Sequence, residues 1–91
     1  MSDKIRLVFY GLGPIGSLIV KVALKRSFFE IVGGVEIDPA KIGRDVGEVI
    51  GLGEKLGVKV VSEKNLEDLL RTSRPDVVVQ ATGTYLDKIY T

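Results

Sequence analysis

The segment Gly11-Leu12-Gly13-Pro14-Ile15-Gly16 sets three glycines at the spacing G-x-G-x-x-G, between a β-branched run and an amphipathic one. This placement constrains the chain more than any other feature, because it calls for a tight turn leading from a strand directly into a helix. Residues 4–10 (KIRLVFY) are β-branched and aromatic and read as a buried first strand. From residue 14 to residue 26 the period changes. Ile15, Leu18, Ile19, Val22 and Ala23 recur at helical spacing, which predicts one apolar stripe of a helix. Pro14 suits the first turn, where its missing N–H was unpaired in any case. Lys21, Lys25 and Arg26 gather toward the last turns, where positive charge opposes the helix dipole favourably.

The alternation continues along the chain. Residues 31–37 (IVGGVEI) predict a second strand closed by Asp38-Pro39, and residues 39–56 a broken helix with a helical fragment around 45–50 (DVGEVI). Residues 58–61 predict a third strand. Ser62 then caps a short helix carrying Leu66, Leu69 and Leu70, which ends near Thr72, ahead of Arg74-Pro75. Residues 77–81 (VVVQA) predict a fourth strand, Gly83 a turn, and Tyr85, Leu86 and Ile89 the start of another helix. This order predicts an α/β fold: a Rossmann-type parallel sheet of about four strands, order 3-2-1-4, with helices on both faces. The near-continuous apolar strands agree, since a parallel sheet is covered on both sides. No linker divides the 91 residues, which read as one domain. A doubly wound domain usually has about six strands, so the chain is expected to be the amino-terminal portion of a longer protein, without its substrate domain.

In this context each loop glycine has its own task. Gly11 permits the turn off the strand, Gly13 lets backbone approach a pyrophosphate, and Gly16 lets helix pack on strand. With Leu12, Pro14 and Ile15 they form a candidate dinucleotide site, because a helix N-terminus offers unpaired N–H donors to phosphate. An acid is then expected roughly 20 residues on, at the end of the second strand, to hold a ribose. Glu36 and Asp38 both qualify. Glu36, followed by Ile37, is nearer the strand end and is the favoured candidate, whereas Asp38 precedes Pro39 and suits a turn. Gly33 and Gly34 inside the strand call for a close approach, by the first helix, by a ligand or by core packing. Thr82 and Gly83 end the fourth strand beside the glycine loop, where they are expected to line the same crevice, with a plain helix-starting turn as the alternative. Gly51-Leu52-Gly53 follows no strand and reads as a turn. Lys41 and Arg44 have the reach for a phosphate, although charged residues in such a loop are usually solvated.

Composition removes several other chemistries. The chain has no Cys and no His, so disulfides, thiolate metal sites, a cysteine nucleophile and the commonest general base are all excluded. A net charge of +1 supplies no basic field for nucleic acid or an anionic membrane, and neither partner is expected. No apolar run approaches the roughly 18 residues of a membrane span, and no signal-peptide pattern opens the chain. A cytoplasmic location is the expectation.

The runs KIRLVFYGLGPIG (4–16), EIVGGVEIDPAKIGRDVGEVIGLG (30–53) and PDVVVQATGTYL (75–86) resemble the amino-terminal domain of the dihydrodipicolinate reductase-like dehydrogenases. G-R-D-V-G-E at 43–48 is the most specific part of the likeness, since the glycine loop alone fits many dehydrogenases. The resemblance covers essentially the whole chain but only the first part of such an enzyme. It implies a nicotinamide cofactor and a reaction at a carbon–nitrogen centre, imine reduction or amine oxidation of an amino acid-like substrate. It also implies pyrophosphate at Gly11, Gly13 and Gly16, ribose at Glu36, and the nicotinamide half near Thr82 and Gly83. Relatives using NADP often place Arg directly after the acid. Here that position is Ile37, so NAD is expected over NADP. The resemblance assigns no catalytic residue to this chain, places those residues in a later domain, and leaves homo-oligomerisation open. Two other classes use similar loops: regulatory nucleotide-sensing domains, and methyltransferases, against which the helix-opening G-x-G-x-x-G and residues 43–48 both argue.

Overall fold

A computed structural model describes residues 4–81 and places four parallel strands in one sheet. In chain order the elements are β1 (Ile5–Tyr10), α1 (Pro14–Leu24), β2 (Phe29–Glu36), α2 (Val46–Val49), β3 (Val60–Ser62), α3 (Leu66–Ser73) and β4 (Val77–Gln80). The strand order is β3-β2-β1-β4, as the sequence predicts. β1 therefore lies between β2 and β4, and the connections leave it in opposite directions. That makes its carboxyl end the topological switch point, the usual ligand crevice of an open parallel sheet.

One face of the sheet packs Leu7, Phe9 and Ile31 against Val20 and Ala23 of α1, with Leu12, Val46, Ile50 and Val60 completing the cluster. α3 covers the opposite face. Between Leu7 and Val8 the register of β1 against β2 shifts by one residue, so Leu7 pairs with Ile31 but Val8 with Gly33. Gly33 and Gly34 consequently face different layers. A Cβ on Gly33 would sit 3.0 Å from Leu69 of α3, and one on Gly34 would sit 2.9 Å from Val46. The close approach at this glycine pair is core packing by α3 and α2, and neither glycine's near neighbours include the first helix.

The apolar stripe expected on α1 is only partly the buried one. Gly16, Val20 and Ala23 are buried, whereas Ile15, Leu18 and Val22 are 50%, 62% and 49% exposed. The row facing the sheet runs through Gly16, Val20 and Ala23, with Ile19 packed against its edge. Residues 39–56 form less helix than expected: apart from the single turn α2, the stretch is loop.

The helix ends follow local chemistry. Ser62 Oγ accepts from Lys64 N at 3.2 Å, capping a 3-10 turn (Glu63–Asn65) that leads into α3. Arg74 adopts the left-handed conformation, φ 47°, and with Pro75 behind it stops the helix at Ser73. Arg6 ties this corner to β1, donating from Nη2 to the Ser73 carbonyl at 2.7 Å. Among the described residues no helix is long and apolar enough to cross a membrane.

Candidate dinucleotide site

The loop leaving β1 is shaped by two steric demands. Gly11 has φ 101°, a conformation that side-chain-bearing residues rarely adopt, and its N–H donates to the Val35 carbonyl at 2.9 Å. A Cβ on Gly16 would lie 2.2 Å from the Gly11 carbonyl oxygen, so only glycine lets the first turn of α1 fold back onto the loop. Gly13 is different. Its φ is −77°, which any residue can adopt, and a Cβ there would meet nothing within 4 Å. The fold itself gives no reason for glycine at this position. Open space in front of it is what a group lying against the backbone would need.

Gly13 is also the N-cap of α1, with no side chain capping it and no acidic residue in the first turn. The leading N–H groups of a helix have no intrahelical partner, and here they keep the full positive end of the dipole. An anion is the natural complement.

Of the two strand-end acids, the fold brings Glu36 to this loop. Its carboxylate is buried, and Oε2 accepts from the Leu12 backbone N–H at 2.5 Å. Oε1 accepts from Ile37 N at 3.2 Å and Asp38 N at 3.4 Å. Asp38 is exposed and spends its side chain on its own turn, accepting from Ala40 N at 3.0 Å. Ile37 is 46% exposed beside Glu36. Leu12 serves two layers at once: its side chain is core, while its peptide is held from both ends. The Leu12 carbonyl accepts from Ser17 Oγ and from Lys41 Nζ, each at 3.2 Å, and Lys41 Nζ is also 3.7 Å from Glu36 Oε2. Thr82 and Gly83 lie outside the described residues.

A second carboxylate organises the loop that follows, and its role is not legible from spacing. Asp45 caps α2 by accepting from Gly47 N at 2.8 Å, then reaches across to Leu56 N at 2.7 Å, Gly57 N at 2.8 Å and Val58 N at 2.9 Å. Partial burial on its own would raise the carboxyl pKa, but the four backbone donors outweigh it and hold the group below its ordinary value of 3.8. The sequence signal available is the Asp of G-R-D-V-G-E, standing where an N-cap belongs. The other three partners lie 11 to 13 residues downstream.

Comparison with known proteins is consistent with this geometry. Residues 5–86 match the family model described as dihydrodipicolinate reductase, N-terminus. The 4-hydroxy-tetrahydrodipicolinate reductase of Methanococcus aeolicus is 35% identical over 79 residues, 85% of this chain and 29% of that protein. Among solved structures, an amine dehydrogenase from Mycobacterium smegmatis superposes with a TM-score of 0.73 at 35% identity, over 81% of this chain and 21% of that one. A Rex-family repressor bound to β-NADH superposes with a TM-score of 0.66 over 86% of this chain and 34% of that one, and at 19% identity the likeness is of fold alone. The chain spans under a third of the length of the curated relatives it matches. With the family model matched from β1 through β4 and beyond, the chain belongs to the dihydrodipicolinate reductase family, as a match to its amino-terminal, nicotinamide dinucleotide-binding part.

Proposed function

We propose that this chain is the cofactor-holding part of an NAD-dependent oxidoreductase acting at carbon–nitrogen bonds, by imine reduction or amine oxidation of an amino acid-like substrate. The observation that carries the reading is Gly13, open and conformationally unforced in front of the bare N-terminus of α1. Backbone N–H groups at Gly13 and in the first turn of α1 would hold the pyrophosphate, with those of Gly11 and Leu12 already given to Val35 and Glu36 and shaping the loop. Glu36 would hold the adenosine ribose, and Thr82 with Gly83 the approach to the nicotinamide. When bound, the nicotinamide would supply or accept the hydride. The amine dehydrogenase likeness supports chemistry at carbon–nitrogen bonds. Within the family, the member proposed as counterpart is 2,4-diaminopentanoate dehydrogenase, on the resemblance carried by residues 4–16, 30–53 and 75–86. Family membership favours this reading over a nucleotide-sensing domain, since the Rex likeness is confined to the fold. No catalytic residue is assigned to this chain, and the 91 residues alone are expected to bind NADH without turning it over.

Gly13→Val tests the site. A Cβ there meets nothing of the chain itself but enters the space in front of the helix, so the variant should keep its circular dichroism spectrum and lose no more than about 1 kcal/mol, the cost of a poorer N-cap. Its NADH affinity by titration calorimetry should fall by about tenfold or more, the equivalent of 1.4 kcal/mol. Unchanged NADH binding by the folded variant would remove the loop from consideration as a phosphate site.

NAD is proposed over NADP because a 2′-phosphate would bring about −1.5 to −2 charges beside Glu36, while Ile37 supplies no cation. Two unit charges about 4 Å apart repel by roughly 4 kcal/mol at an effective dielectric near 20, before screening. Glu36→Ala should narrow the preference chiefly by weakening NAD. Tighter binding of NADP than of NAD by the parent chain would refute this assignment.

A further inference from the structure

The partners of Glu36 divide into two kinds. A carboxylate offers about four acceptor positions. Three are taken by backbone N–H groups, of Leu12, Ile37 and Asp38, which the fold holds in place. The remaining partner is the Lys41 ammonium, 3.7 Å from Oε2, and it alone sits on a flexible stem. A ribose hydroxyl arriving at Glu36 would therefore take the position that Lys41 now occupies.

Lys41 does not come there by free diffusion of a solvated chain. The turn after β2 is folded back by Ala40 N on Asp38 Oδ1 and Lys41 N on the Asp38 carbonyl, both at 3.0 Å. The Lys41 side chain is 29% exposed, and its ammonium has a second anchor 3.2 Å away on the Leu12 carbonyl. It can release Glu36 while keeping Leu12. Arg44, the other nearby cation, is exposed and fixed by its backbone to β3, where its carbonyl accepts from Val60 N at 2.8 Å.

Building on the dinucleotide reading, we propose that Lys41 is the specificity-determining residue of this site: its ammonium receives a 2′-phosphate and so limits how strongly Glu36 excludes NADP. With a 2′-hydroxyl, the ammonium yields its place on Glu36 to the ribose and stays on Leu12. With a 2′-phosphate, it remains between two anionic groups and offsets their repulsion, the work that Ile37 is unable to do. The residue next to the acid is thus not where the cation resides; the turn delivers it from five positions along the chain.

Titration calorimetry of the 91-residue chain with NADH, NADPH and the fragment 2′,5′-ADP separates the possibilities. Lys41→Gln should weaken NADPH and 2′,5′-ADP by about tenfold or more, through loss of a charge-assisted contact. NADH should stay within about threefold, because the backbone N–H groups of Leu12, Ile37 and Asp38 hold the Glu36 carboxylate in place without Lys41. Lys41→Arg should restore most of the loss, and Arg44→Gln should leave the NADPH to NADH ratio unchanged. Equal weakening of both cofactors by Lys41→Gln would make Lys41 a loop clamp and overturn the inference, as would an unchanged ratio or a larger effect at Arg44. If the parent chain binds neither cofactor, the dinucleotide reading itself fails, and this inference with it.

Discussion

Gly16→Ala is expected to destabilise the chain by about 2 kcal/mol, even though alanine is the better helix former by about 1 kcal/mol. The two effects have opposite signs, which makes the variant decisive. Propensity acts through the unfolded chain and the helix alone. Sterics act through the Gly11 carbonyl oxygen, which a Cβ would meet at 2.2 Å. That oxygen belongs to backbone whose φ of 101° is already special, so neither partner of the clash can move cheaply. For a domain of this size the loss should lower the melting temperature by roughly 8 to 16 °C, read by circular dichroism. Gly13→Ala is the internal control: with no neighbour within 4 Å and a negative φ, it should cost no more than about 1 kcal/mol, the difference between Gly and Ala at an N-cap. A Gly16→Ala protein more stable than the parent would mean that α1 does not rest on the loop.

The next largest effect is expected at Asp45. Asp45→Ala removes the N-cap of α2 and strands three further N–H groups of the returning loop. Loss of a cap alone costs about 0.5 to 2 kcal/mol. The other donors are partly exposed and regain water, so the total should be about 2 to 3 kcal/mol by urea denaturation. Asp45→Asn should be nearly as costly, because its amide nitrogen would oppose donors that now face an oxygen. The pH dependence gives an independent check. A carboxyl whose pKa is lowered on folding contributes stability above its unfolded value, and loses it as pH falls through the folded one. The gap between parent and Asp45→Asn should therefore be full at neutral pH and close progressively below 3.8. A gap that persists undiminished in acid would show that Asp45 acts through shape and not through charge.

Periodicity made much of this molecule legible. The strands, their order and the strand–loop–helix context of the glycines follow from residues 4–24 and from the short apolar runs, because local pattern and tertiary packing agree there. Glu36 was legible as one of two acids; burial against Leu12 separates it from Asp38. What stayed hidden depends on distance in the chain. The orientation of α1 is set by one glycine beneath a carbonyl, and it outweighs the wider stripe of Ile15, Leu18 and Val22. Residues 39–56 scarcely form a helix because their backbone donors go to Asp45 and β3, which no helical period encodes. Lys41 looked like any lysine in a polar loop until the Asp38 turn aimed it at the site.

The offset between Leu7 and Val8 in the β1–β2 register divides β2 into two halves of opposite phase. Ile31 and Gly34 share a layer although an odd number of steps separates them, and Glu36 is in phase with Gly34. The residue accommodated there acts as a parity bit for the strand. Deleting Val32 would not simply shorten β2 but would restore strict alternation, turning over one half against the other. If the amino-terminal half kept its layer, Glu36 would emerge on the α3 side, with the whole sheet between its carboxylate and the glycine loop. Among relatives of this chain, gaps at this point should therefore be tolerated only in pairs, or where the acid has shifted by one position.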